Sequence, residues 1–234
     1  MKVFSLLKAP DFVSMINLLF GMAAIFFSFN GAFGIAAACL LIAAVADGVD
    51  GYVARKTSSG PLGEHIDSLV DAVSFGVAPA VLIYCMVGNP IAGIVVCIYA
   101  ACGILRLARY NAFPSKTPGY SGIPITGACV VLAVLVILAD QFAKNAIEIP
   151  YLIEFMCLFM LLLSVLMISG IPYPKVMKKK TFIILIILFT GSVAAIFINS
   201  IYMAIFPGLL GILMLLYLLS PIFGLLSKKN YDEL

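Results

Sequence analysis

The chain alternates long apolar runs with short polar breaks. Runs close to twenty residues cover 12–29, 32–54, 65–87, 91–111, 123–143, 150–170, 181–199 and 202–225. A helix needs about 20 residues to cross the hydrocarbon of a bilayer. The breaks hold turn-forming residues: Asn30-Gly31, Gly88-Asn89-Pro90, Gly119-Tyr120-Ser121-Gly122 and Ile171-Pro172-Tyr173-Pro174. The pattern predicts an all-α integral membrane protein with about eight transmembrane helices. The first run reaches Asn30-Gly31 without an A-x-A-like cleavage site, so it reads as a span and not as a cleaved signal.

Composition agrees. Hydrophobic residues make up 64% of the chain and charged residues 11%, with a mean hydropathy of +1.18; a soluble domain carries about 25% charged residues. Charge placement sets the orientation. With the N-terminus inside, every one of the 14 lysines and arginines except Lys144 falls on the cytoplasmic side, as the positive-inside rule requires. Both termini are therefore expected in the cytoplasm, in a multi-pass protein of the cell membrane. The net charge of +3 follows from this topology and points to no nucleic-acid partner. The six cysteines lie inside apolar runs and form no C-x-x-C, which reads as buried thiols packed as small hydrophobes.

Against this background the carboxylates stand out. Of 11 acidic residues, five fall between positions 47 and 71, within Asp47-Gly48-Val49-Asp50-Gly51-Tyr52-Val53-Ala54-Arg55 and Gly63-Glu64-His65-Ile66-Asp67-Ser68-Leu69-Val70-Asp71. Ionisable groups at membrane depth are costly and mark functional sites. Two carboxylates 4 Å apart repel by roughly 4 kcal/mol at an effective dielectric of about 20. Cations must offset such a cluster, and oxygen-only ligands suit Mg2+, Mn2+ or Ca2+.

Asp47 and Asp50 are three apart near the end of the second helix, and Asp67 and Asp71 are four apart at the start of the third. Each pair shares a helical face. A hairpin through Ser58-Ser59-Gly60-Pro61 would bring the two faces together. Gly48, Gly51, Ala54 and Gly63 let a nucleotide or phosphate approach the backbone, and Arg55 supplies a cation suited to a phosphate. A multispanning cation transporter could use the same carboxylates. Arg55 and the glycines favour phosphate binding. Helix-dipole compensation could account for Asp67 alone, because negative charge near the end of the second helix is unfavourable.

The run resembles the signature of the CDP-alcohol phosphatidyltransferase family, D-x-x-D-G-x-x-A-R…G-x-x-x-D-x-x-x-D. Asp47, Asp50, Gly51, Ala54, Arg55, Gly63, Asp67 and Asp71 fill its fixed positions. Seven residues separate Arg55 from Gly63 where the family usually has eight, a difference confined to the hairpin. The resemblance implies a six-helix catalytic core that forms a homodimer and binds a CDP-linked lipid beside two divalent cations, Mg2+ or Mn2+, with Ca2+ able to replace them in binding. It implies Asp47, Asp50, Asp67 and Asp71 as metal ligands and Asp71 as the catalytic base. Gly51, Ala54, Arg55 and Gly63 would lie along the CDP and its phosphates.

Further stretches are similar to the serine-using bacterial and archaeal members of the family: Asp67 to Ala80, Arg106-Leu107-Ala108-Arg109-Tyr110-Asn111, Tyr120 to Pro124, and Ile171 to Lys175. They imply transfer from CDP-diacylglycerol or CDP-archaeol to L-serine, with glycerol 3-phosphate or inositol phosphate as the alternative acceptors. Arg106 would bind the serine carboxylate or the lipid phosphate. Arg109 would share that role or serve as a positive-inside anchor. Asn17 would sit near the nucleotide or bond between helices. Asp140, Glu148 and Glu154 read as remote from the chemistry, His65 as a helix-start surface residue, and Lys178-Lys179-Lys180 as a contact for anionic lipid. The chain divides into a membrane domain over 1–175 and a basic loop with a C-terminal helix pair over 176–234.

Overall fold

A computed structural model describes residues 7–56, 62–113, 119–147, 149–174, 179–198 and 200–229. Its helices are α1 (Ala9–Phe29), α2 (Phe33–Lys56), α3 (Gly63–Asp71), α4 (Ala78–Val87), α5 (Pro90–Ala112), α6 (Ile125–Lys144), α7 (Leu152–Ile168), α8 (Lys179–Phe197) and α9 (Ile205–Lys229). A π-helical turn over Ala72–Val77 joins α3 to α4, and a 3-10 turn over Ile201–Ala204 leads into α9. Two-residue strands β1 (Tyr120–Ser121) and β2 (Pro172–Tyr173) pair antiparallel, Tyr120 opposite Tyr173.

The eight expected segments are all present, the third built from α3, the π turn and α4. Among the described residues, six segments are long and apolar enough to cross a membrane, and α7 and α8 add further apolar helices. The protein is an all-α membrane protein.

The breaks act as their residue types dictate. Asp11 accepts the Lys8 N–H at 2.7 Å and caps α1. Gly88 closes α4 at φ 68°, Asn89 accepts the Ala92 N–H at 2.7 Å, and Pro90 opens α5. The core lies along α6, whose residues Ala128–Val134 are all buried. The buried small residues Ala36, Ala37, Ala43 and Ala44 of α2 let neighbouring helices come close. α2 packs on α1 and α6, α5 on α7, α8 on α2 and α6, and α9 on α6 and α8.

The π turn has an identifiable cause. Pro79 has no N–H to give the Phe75 carbonyl four residues back. The fully buried Tyr99 hydroxyl on α5 donates to that carbonyl instead, at 3.1 Å. This widened turn begins one residue after Asp71, so it helps set how that carboxylate enters the core. Tyr99→Phe should lower stability by about 1–3 kcal/mol by leaving the carbonyl short of a donor. Thermal unfolding in detergent checks this, and an unchanged midpoint would contradict it.

Candidate active site

Three helices converge on the aspartates. α2 contributes Asp47 and Asp50, α3 contributes Asp67 and Asp71, and α1 presents Ser14, Asn17 and Gly21 along one face. Gly21 lets α1 close on the π turn, because a Cβ there would lie 2.8 Å from Ser74. The Ser74 hydroxyl bonds back to the Asn17 carbonyl at 3.3 Å.

One carboxylate oxygen each of Asp47, Asp67 and Asp71 can be chosen so that all three lie within 4.8 Å of one another. Neighbouring helices steer the carboxylates. The Thr126 hydroxyl of α6 donates to Asp47 at 3.1 Å, and the Asn17 amide donates to Asp71 at 3.4 Å. Asp50 is directed to α1, where it accepts the Ser14 hydroxyl at 2.9 Å. The side chains of Ala54 and Arg55, and the hairpin over 57–61, lie outside the described residues. Gly51 lies within α2 and Gly63 opens α3.

No lysine or arginine among the described residues forms an ion pair with these aspartates. Among the described residues the sole ion pair is Asp140–Lys144 at 2.7 Å, at the far end of α6. The Arg106 guanidinium acts on Asp47 and Asp71 electrostatically without forming an ion pair. Asp67 Oδ1 and Asn17 Oδ1 are buried and have no hydrogen-bond partner. Clustered carboxylates and an orphaned buried oxygen fit a divalent cation with hard oxygen ligands.

Arg106 borders the cluster from α5. It is buried, its Nε has no partner, and its guanidinium lies 5.8 Å from the Tyr110 ring centre and 5.9 Å from that of Tyr120. It lines a cleft of about 380 Å3 with Arg109, Tyr110, Phe113, Gly119, Tyr120 and Ser121.

Arg109 is bound differently, to main chain. Its guanidinium donates to the carbonyls of Ser121 at 2.6 Å, Ile168 at 2.8 Å, Ser169 at 3.1 Å and Met167 at 3.2 Å. The last three are end carbonyls of α7 that no helical N–H can serve. Gly122 makes this possible: its φ is +75°, and a Cβ would lie 2.9 Å from the Leu166 carbonyl. Arg109 thus ties the β1 loop to α7. His65 is exposed on α3, and Asp140 and Glu154 lie on the far side from the aspartates. Glu148, Lys175 and Lys178 fall outside the described residues.

Ser14 and Thr126 belong to the site although the motif does not include them. Ser14 carried a readable signal, since Ser14, Asn17 and Gly21 recur at i, i+3 and i+7 in an otherwise apolar helix. Thr126 carried none, standing 79 residues from Asp47 in sequence.

The chain belongs to the CDP-alcohol phosphatidyltransferase family, whose profile matches residues 7–157. Among curated relatives, the archaetidylserine synthase of Methanothermobacter thermautotrophicus is 36% identical over 183 residues, covering 75% of this chain and 73% of the relative. A CDP-diacylglycerol–serine O-phosphatidyltransferase of Methanocaldococcus jannaschii is 35% identical over 176 residues, covering 74% and 77%. The enzyme of that name from Helicobacter pylori strain 26695 is 32% identical over 209 residues, covering 86% of each chain.

The electrostatics predict two opposite responses. Asp67→Asn should leave the metal-free protein at least as stable as the wild type, because one like charge is gone. Saturating Mn2+ at a hundred times its dissociation constant should stabilise the wild type by about 2.7 kcal/mol, and the variant by much less. Unfolding midpoints with and without Mn2+ test both, and an equal metal response in the two proteins would contradict the site.

Proposed function

We propose that the protein transfers a phosphatidyl or archaetidyl group from a CDP-activated lipid to the hydroxyl of L-serine, releasing CMP. The observation that carries this reading is the convergence of Asp47, Asp67 and Asp71 within 4.8 Å, beside the cleft that Arg106 lines. The names of the relatives support serine as the acceptor and support both lipid types as donors.

When bound at Asp47, Asp50, Asp67 and Asp71, two Mg2+ or Mn2+ ions supply charge stabilisation to the pyrophosphate and the departing CMP. The chain's own groups do the rest. Asn17 orients Asp71, which accepts the proton of the serine hydroxyl as its oxygen attacks the lipid-side phosphorus. The bond from phosphorus to the CMP oxygen breaks, and CMP leaves with the bonding pair. Gly51, Ala54, Arg55 and Gly63 line the nucleotide, and Ser14 keeps Asp50 directed towards α1.

Arg106 holds the carboxylate of serine, for which a guanidinium is a bidentate partner. Arg109, bonded to four carbonyls, keeps the cleft wall in place. The lysine and arginine distribution supports a cytoplasmic site with both termini on that side. The homodimer implied by the family resemblance belongs to this reading too.

The test is CMP release by purified protein with CDP-diacylglycerol or CDP-archaeol, comparing L-serine, glycerol 3-phosphate, inositol phosphate and no acceptor. Release should depend on serine and vanish on chelation. Release that prefers another acceptor would overturn the serine assignment, and none with either lipid would overturn the reaction. Asp71→Asn should abolish turnover while retaining metal-dependent CDP-lipid binding. Arg106→Ala should raise the KM for serine about tenfold or more, as loss of a charge-assisted bond requires. An unchanged KM would remove Arg106 from the acceptor site.

A further inference from the structure

Helix α9 reaches the β1–β2 ladder beside the acceptor cleft through the Tyr217 ring and the Leu218 carbonyl. Between Ile205 and Leu219, α9 contains no polar side chain other than Tyr217. Neighbouring Leu215, Leu216 and Leu219 are exposed, as on a lipid-facing surface, whereas Tyr217 packs against the core. A tyrosine in such a setting needs a partner for its ring and its hydroxyl.

The partners lead inward. The Tyr217 ring lies 5.5 Å from that of Tyr173, tilted by 42°. Tyr173 is 2% exposed, and its hydroxyl donates to the Leu218 carbonyl of α9 at 3.4 Å. Its backbone pairs with Tyr120, whose ring faces the Arg106 guanidinium at 5.9 Å. A ladder of two residues on each strand has little stability of its own and takes its position from what packs against it. Here that is α9.

We infer that Tyr217 is a positioning residue for the acceptor cleft, acting through Tyr173 and the β1–β2 ladder to set Tyr120 against Arg106. Residues 7–157 carry the family match, so this gives α9 a task in acceptor recognition that lies outside the matched region. The ligand class is a small polar acceptor bearing an anionic group for Arg106. The inference rests on reading this cleft as the acceptor site.

The test is steady-state kinetics on the purified full chain, with KM measured separately for the acceptor and for the CDP-lipid. Tyr217→Leu should raise the acceptor KM about two- to tenfold, the range an aromatic pair supplies. The CDP-lipid KM should stay unchanged. Tyr217→Phe keeps the ring and should recover most of the loss. Equal rises in both constants, a fall in kcat alone, or a Phe variant no better than the Leu variant would overturn the inference.

Should Tyr217→Leu fail to fold, Tyr173→Phe removes only the hydroxyl that reaches α9. It should raise the acceptor KM to a smaller degree, and an unchanged value would overturn the inference. The acceptor used is whichever one the wild type prefers, so the identity of serine can fail while the positioning role stands. If Arg106→Ala leaves the acceptor KM unchanged, the cleft reading itself falls, and this inference with it.

Discussion

Mutual repulsion of buried carboxylates is the constraint around which the rest of the site is arranged. Asp47, Asp67 and Asp71 meet within 4.8 Å in an apolar bundle, and no described cation forms an ion pair with them. Their hydrogen bonds from Thr126 and Asn17 orient them but bring no positive charge. Arg106 contributes a positive field from the edge. The apparent instability is what gives such a site its affinity for divalent cations. Charges held together by the fold lose that repulsion when a cation enters.

Holding the charges together falls to helices that are otherwise ordinary in composition. α1 carries the two side chains that orient Asp50 and Asp71, and Gly21 lets it approach the π turn closely enough to do so. Pro79 and Tyr99 stabilise the widened turn just beyond Asp71. On the other flank, Arg109 fastens the β1 loop to the end of α7, and the cleft opens between that loop and α5. Aspartates and cleft thus share one end of the bundle, as a reaction between a nucleotide-activated lipid and a small polar acceptor requires.

Much of this was legible in the sequence, for reasons that can be named. Helix number and limits follow from apolar length and from Gly-Asn-Pro punctuation, both local properties, so eight segments could be read directly. The aspartate pairs were legible because i, i+3 and i, i+4 spacing fixes a shared face whatever the tertiary fold. What was not legible depends on contacts distant in sequence. The spacing treats Asp50 as equivalent to Asp47, yet Ser14 of α1 draws it aside. Arg109 reads equally as membrane anchor or ligand; its hydrogen bonds to four carbonyls depend on where α7 ends and on the turn at Gly122. The π turn and the Tyr217 contact likewise arise from packing between elements far apart in the chain.

Binding of divalent metal by the four motif aspartates is open to anomalous diffraction at the manganese edge, from crystals grown with Mn2+. Anomalous density should be enclosed by Asp47, Asp67 and Asp71 and reach towards Asp50. Well-ordered aspartates with no anomalous density between them at saturating Mn2+ would contradict it.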